Sequence, residues 1–110
     1  MRNILSITIL FIFFNINLFP QWNADPSINT MIADTTAQQV LPKIVKCKDG
    51  SSYVSWFDTR GGSYALYLQK MSSKGTREWG NHGILVSDKP QNSFISDYAL
   101  ECDKTNNAVV

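Results

Sequence analysis

Hydrophobic positions along this chain follow two regimes. The first is one apolar run. Residues 1–19 read MRNILSITILFIFFNINLF, with Arg2 at the start and only Ser6 and Thr8 interrupting residues 4–14. A basic start followed by an uncharged apolar core of about 7–15 residues is the pattern of a secretory signal peptide. A membrane span needs about 20 predominantly apolar residues, and Asn15 and Asn17 break this run early. The run therefore reads as a helical signal peptide over 1–20. Its cleavage site is weak, because Leu18, Phe19 and Pro20 are not the small residues that cleavage favours.

The second regime begins near residue 21 and has no sustained helical period. Apolar bursts of about six residues alternate with Gly, Asp, Asn and Ser clusters, the mark of short strands joined by turns. The predicted strands are 42–47 (PKIVKC), 52–57 (SYVSWF), 64–71 (YALYLQKM), 83–86 (GILV), 97–102 (DYALEC) and 108–110. The steps Asp49-Gly50 and Lys74-Gly75 supply residues that tolerate positive φ, as tight hairpins require, and residues 58–62 punctuate the chain between them. Short connections make consecutive strands antiparallel neighbours. In the second strand Tyr53 and Phe57 share one face, and Val54 and Trp56 the other. In the third, Leu66 and Leu68 oppose Tyr67 and Met71. A sheet with one wet face would alternate cleanly, so apolar residues on both faces predict a sheet covered on both sides.

A repeat sharpens the architecture. Trp22 and Trp79 open similar stretches. Each leads, through a polar linker, to a strand ending in cysteine: KIVKCKDGSSYV over 43–54 and YALECDKTNNAV over 98–109. Cys47 aligns with Cys102 at an offset of about 55 residues, among the periods of propeller blades. The expected fold is all-β: antiparallel four-stranded blades of an incomplete β-propeller over 21–110, with a leading strand at 28–33, a blade over about 42–87 and the start of another at 95–110. Val109 and Val110 fall mid-strand in the alignment, so the chain reads as a fragment. Equivalent positions in successive blades lie about a sheet-packing distance apart, about 10 Å, whereas a disulfide needs Cα atoms within about 7 Å. Cys47 and Cys102 are thus expected to stay free.

Pro42, Ile44, Asp49, Gly50, Trp56, Asp58, Arg60, Tyr64, Tyr67, Gln69, Gly75 and Trp79 form a pattern that resembles secreted bacterial β-propeller proteins, loosely sialidase-like or BNR-like. Such proteins commonly carry a C-terminal type IX secretion sorting domain, which this sequence does not show. The resemblance implies a secreted or cell-surface location and marks blade structure more than activity. It points to a non-catalytic extracellular propeller for binding, adhesion or display, with a glycan or a protein as ligand. The alternative is the N-terminal part of a secreted glycan-active hydrolase whose active residues lie elsewhere.

Charge and candidate chemistry add little to that picture. The 110 residues carry 10 basic and 9 acidic side chains, a net charge of +1, which gives no electrostatic footprint for nucleic acid. The membrane enters only through the signal peptide. Beyond Arg2 the arginines are Arg60 and Arg77, too few for the convergent guanidinium set that holds a sialic acid carboxylate. Asp49, Asp58 and Asp97 are not paired as a glycosidase dyad would be. His82, the single histidine, sits in a polar turn and reads as solvated. No cofactor, metal site or catalytic residue is assigned. Lys43, Lys46 and Lys48 read as a solvated edge. Asp58 and Arg60 read as fixing the turn after the second strand. Trp56, Tyr64, Tyr67 and Trp79 read as packing between blades, with stacking on sugar rings as the alternative for the last three.

Overall fold

A computed structural model describes residues 22, 23, 25–91 and 97–110. The expected signal peptide over 1–20 and residues 95 and 96 of the expected second blade lie outside these described residues. Within them the protein is all-β. Strands β1 (Gln39–Lys46), β2 (Ser52–Asp58), β3 (Tyr64–Met71) and β4 (Ile84–Gln91) form one antiparallel sheet in the order β1-β2-β3-β4. Strands β5 (Glu101–Cys102) and β6 (Ala108–Val109) form a separate antiparallel hairpin.

Turn chemistry builds the hairpins alike. Cys47 N–H donates to the Ser51 carbonyl (2.8 Å) and Gly50 N–H to the Cys47 carbonyl (3.2 Å). Ser72, Gly75 and Thr76 repeat this at 2.8 and 3.0 Å, and Asp103, Asn106 and Asn107 at 2.9 and 3.2 Å. The fourth residue is left-handed each time: Gly50 (φ 86°), Gly75 (φ 79°) and Asn106 (φ 65°). This is a type I turn closed by a residue of positive φ, a common hairpin solution with a bulge. Pro42 lies where the β1–β2 register shifts, between Val40 and Lys43, and Leu41 takes a positive φ of 51°. Proline lacks the N–H that a regular ladder needs, so it belongs at an edge strand or a bulge.

Both sheet faces are covered, and β2 is buried along its whole length. Val54, Trp56, Tyr67 and Met71 form one core, against which Trp22, Ile32 and Ala33 pack. Cys47, Tyr53 and Leu68 form the other, under Leu100, Cys102 and Ala108. The face assignments of β2 and β3 match those expected from alternation. Trp56 and Leu68 are each only 4% exposed. The flanking segments 22–37 and 97–110 supply the missing layers.

Three expectations are corrected. Residues 28–33 are not a strand. They lie over the sheet face, and their polar backbone is met by side chains and loops, as where Gln69 donates to the Ile32 carbonyl (3.3 Å). Strand β4 runs on to Gln91, past the expected end at Val86. The cysteines are not free: Cys47 and Cys102 form a disulfide with Cα atoms 5.6 Å apart.

The reason for the disulfide is a slip of one residue. Val45 pairs with Tyr53 and Lys46 with Ser52 in the first hairpin. Glu101 pairs with Val109 and Cys102 with Ala108 in the second. Every one of these positions recurs 56 residues later, not 55. Cys102 is therefore the structural counterpart of Lys46, and Cys47 that of Asp103. A shift of one residue turns a side chain to the opposite face. The two sulfurs thus point toward each other across stacked layers instead of in the same direction.

Candidate functional site

The sequence motif at the end of β2 becomes a closed network. Trp56 and Asp58 are two residues apart on β2 and share a face, beside Tyr67 and Ala65 of β3. Asp58 is fully buried, at 0% exposure. It accepts from Trp56 Nε1 (3.1 Å), from the Arg60 N–H (2.8 Å) and from Arg60 Nη2 (2.6 Å). Thr35 Oγ1 (3.3 Å) and Gln39 Nε2 (3.5 Å) reach the same carboxylate from outside the turn. Burial alone would raise the Asp58 carboxyl. The hydrogen bonds from Arg60 and Trp56 outweigh it and hold the group below the usual carboxylate range.

Arg60 is spent in the same network. Its guanidinium lies 3.8 Å from the Tyr67 ring centroid, and Nη1 donates to the His82 carbonyl (3.0 Å). Trp56 also stacks near Tyr67, with ring centroids 6.3 Å apart and planes at 20°. A cation on an aromatic face, with one nitrogen bonded to a carboxylate and another to a carbonyl, is held from three sides. It ties the β2–β3 turn to the loop before β4. Gly83 closes that loop with φ 68°; a Cβ there would lie 2.6 Å from the Leu68 carbonyl oxygen and 2.8 Å from the Trp56 ring. Only glycine fits so close a backbone approach.

Gln69 is the residue whose role the sequence pattern understated. It is fully buried. Its amide donates to the carbonyls of Gly80 (2.9 Å) and Ile32 (3.3 Å), and its Oε1 accepts from Trp79 N–H (3.0 Å) and Lys70 N–H (3.1 Å). One amide thus satisfies backbone groups from three segments. The only signal for this was a lone amide on an apolar face of β3.

The remaining motif residues are dispersed. Asp49 folds back on Ser51 N–H and Oγ at 3.0 and 2.6 Å, and these bonds keep its carboxyl below the ordinary value. Tyr67 is buried, and Trp79 packs on Tyr53 with centroids 5.5 Å apart. Both serve packing. Tyr64 OH donates to Gln38 (3.0 Å). His82 is exposed and offers its carbonyl, not its ring, to Arg60. Lys43 is drawn to Asp97 (2.7 Å), to the Tyr98 carbonyl and to the Tyr98 ring (4.7 Å). It belongs to a contact between layers and not to a solvated edge. Among the described residues no three His, Cys, Asp or Glu side chains converge as metal ligands would.

What this arrangement can do is hold shape. Asp58 and Arg60 face each other at 2.6 Å instead of facing an open cleft, so the best-formed polar cluster is committed to the scaffold. Comparison with known protein families, with curated proteins and with solved structures finds no match in any of the three.

Proposed function

We propose that the chain is a repeat module of a secreted β-propeller, and that its role is non-catalytic: binding, adhesion or display outside the cell. The observation that carries this reading is the stacking of the β5–β6 hairpin on the β1–β2 sheet face, with the same pairing 56 residues on. A hairpin that repeats its predecessor and packs on that predecessor's face is how blade follows blade. Two further features support it. A disulfide joining the two units suits an oxidising, exported setting. The Trp56, Asp58 and Arg60 motif is consumed in a network that fixes one unit, as a motif repeated per blade would be.

The test has two parts. Cells expressing the chain are fractionated, and the exported protein is sequenced from its N-terminus; loss of about 20 residues is expected. Chain kept in the membrane with Met1 intact would overturn export. The exported protein is then screened on immobilised glycans and matrix proteins, and assayed with aryl glycosides. Retention without turnover is expected; turnover would overturn the non-catalytic reading.

A further inference from the structure

The Asp58 network is spent inside the scaffold, but a second group of polar side chains is not. A cleft of about 440 Å³ lies between residues 30–31 and the loop 75–81, within the size range of small-molecule sites. Buried groups fix its two walls. Gln69 donates to the Ile32 carbonyl (3.3 Å) behind one wall and to the Gly80 carbonyl (2.9 Å) in the other. The Asn81 carbonyl accepts from the Asp34 N–H (2.9 Å) and from Arg77 Nη1 (3.2 Å). A Cβ at Gly80 would meet nothing within 4 Å, so the loop leaves open space there.

The bond from Nη1 is the one hydrogen bond of the Arg77 side chain among the described residues, and no described carboxylate pairs with it. The Nε–Nη2 edge of the guanidinium is left without a described partner, and neither nitrogen is buried. Such an edge fits a planar carboxylate with two parallel bonds. Glu78, the next residue, is turned to Lys70 (3.4 Å). The Thr30 hydroxyl and the Asn81 amide line the same cleft and also have no side-chain partner among the described residues. A second cleft, of about 560 Å³, differs in kind: Asp34 and His82 line it, and its arginine, Arg60, already holds Asp58 at 2.6 Å.

We infer that the Arg77 cleft binds the carboxylate of an acidic sugar, a uronate, within a glycan. The Arg77 edge takes the carboxylate. Hydroxyl and amide groups both donate and accept, so Thr30 and Asn81 match the ring hydroxyls, which do the same. Met31, 57% exposed at the rim, gives the C–H face of the ring an apolar contact. No described carboxylate or histidine lines this cleft, so it holds the sugar without an acid or base to cut it. The inference deepens the binding role proposed above and rests on that reading.

The test titrates the full chain by NMR, following the Asn81 side-chain amide. The probes are a galacturonate disaccharide, its methyl ester, acetate and a glutamate oligopeptide. The disaccharide should give saturable shifts, and the ester should bind about tenfold more weakly. Arg77→Met should lose about as much, with Arg77→Lys in between, because lysine keeps the charge and not the fork. Thr30→Val removes a hydroxyl that no described residue uses, so it should weaken binding several-fold with the unfolding midpoint unchanged. Equal binding of acid and ester would overturn the inference. So would equal binding of acetate or the glutamate peptide, or affinity that Arg77→Met and Thr30→Val both leave unchanged. No uronate binding, with the chain still retained on other glycans or matrix proteins, would overturn this site and leave the binding role standing. Absence of both would overturn the two together.

Discussion

The two faces of the four-stranded sheet are covered by different physics. On the Trp56 face the cover is an irregular segment, 22–37, held by polar groups that are themselves buried: Asp58 reaches Thr35, and Gln69 reaches Ile32. On the Tyr53 face the cover is a hairpin that satisfies its own backbone. It is held by apolar contact, the disulfide and tyrosine hydroxyls. Tyr98 OH bonds Ser55 (2.8 Å) and its ring meets Phe57 edge-on at 5.4 Å, while Tyr53 OH donates to the Asn106 carbonyl (2.9 Å). A segment without strand pairing must find partners for its backbone in side chains. A paired hairpin needs only a flat apolar landing and a clamp.

That contrast is broken most severely at Asp58. Asp58→Ala would leave the Trp56 N–H and the Arg60 cation without their acceptor in a buried place. Removing one partner of such a pair typically costs about 3–5 kcal/mol. Denaturant unfolding should show a loss of that size, with Arg60→Met in the same background recovering part of it. Acid probes the same group. The folded carboxyl titrates below its ordinary value, so its stabilisation is present above about pH 4, the unfolded value. It is lost as pH falls through the lowered folded value. A pH series of unfolding midpoints should fall in that window, and Asp58→Asn should flatten the fall.

The opposite face should be sensitive to thiols. The disulfide closes a sequence separation of 55 residues. Losing it, by Cys102→Ser with Cys47→Ser or by reductant, should cost about 2–4 kcal/mol. Proteolysis should then cut first within 97–110. Cutting that begins within 22–37 instead would mean that the bridge does not clamp the hairpin. Between these effects and a neutral change lies Gln69. Gln69→Ala strands backbone groups of three segments, at about 1–3 kcal/mol. Hydrogen exchange should rise at Trp79, whose N–H Gln69 accepts, ahead of the β2–β3 ladder.

What the sequence disclosed, and what it hid, follow the same division. Strands β2 and β3 were legible because two-residue alternation with turn glycines leaves one register. The end of β4 was hidden, because Ser87, Asp88 and Lys89 carry no apolar alternation on an outer strand. Residues 28–33 look like a strand in composition, yet among the described residues no neighbouring strand pairs with them, and strand propensity without a partner does not make a strand. The cysteines misled because aligning identical residues chose an offset one short of the offset that aligns the turns. Asn106 stands where Gly50 does, and positive φ, not residue identity, marks the equivalence. In the candidate site, Asp58 and Arg60 were legible as a turn-fixing pair. The four-way role of Gln69 was not, since its partners are backbone groups that composition does not display.

The smallest expected effect concerns the bridge between Lys43 and Asp97, and it tests whether the hairpin face uses charge at all. The pair is close, at 2.7 Å, but the Asp97 side chain is 91% exposed. Exposed pairs gain little, because water and salt screen the attraction and both side chains lose freedom. The hydrogen bond from Lys43 lowers the Asp97 carboxyl, with the Tyr98 N–H helping. That shift belongs to a solvated group. Lys43 has other anchors as well, the Tyr98 carbonyl and the Tyr98 ring at 4.7 Å. Asp97→Asn should therefore leave the unfolding midpoint within error at ordinary salt. Lys43→Ala should lower it measurably, because it removes the cation from the tyrosine that seats the hairpin. Equal losses from the two variants would show that the ion pair, and not the aromatic seat, holds that end of the cover.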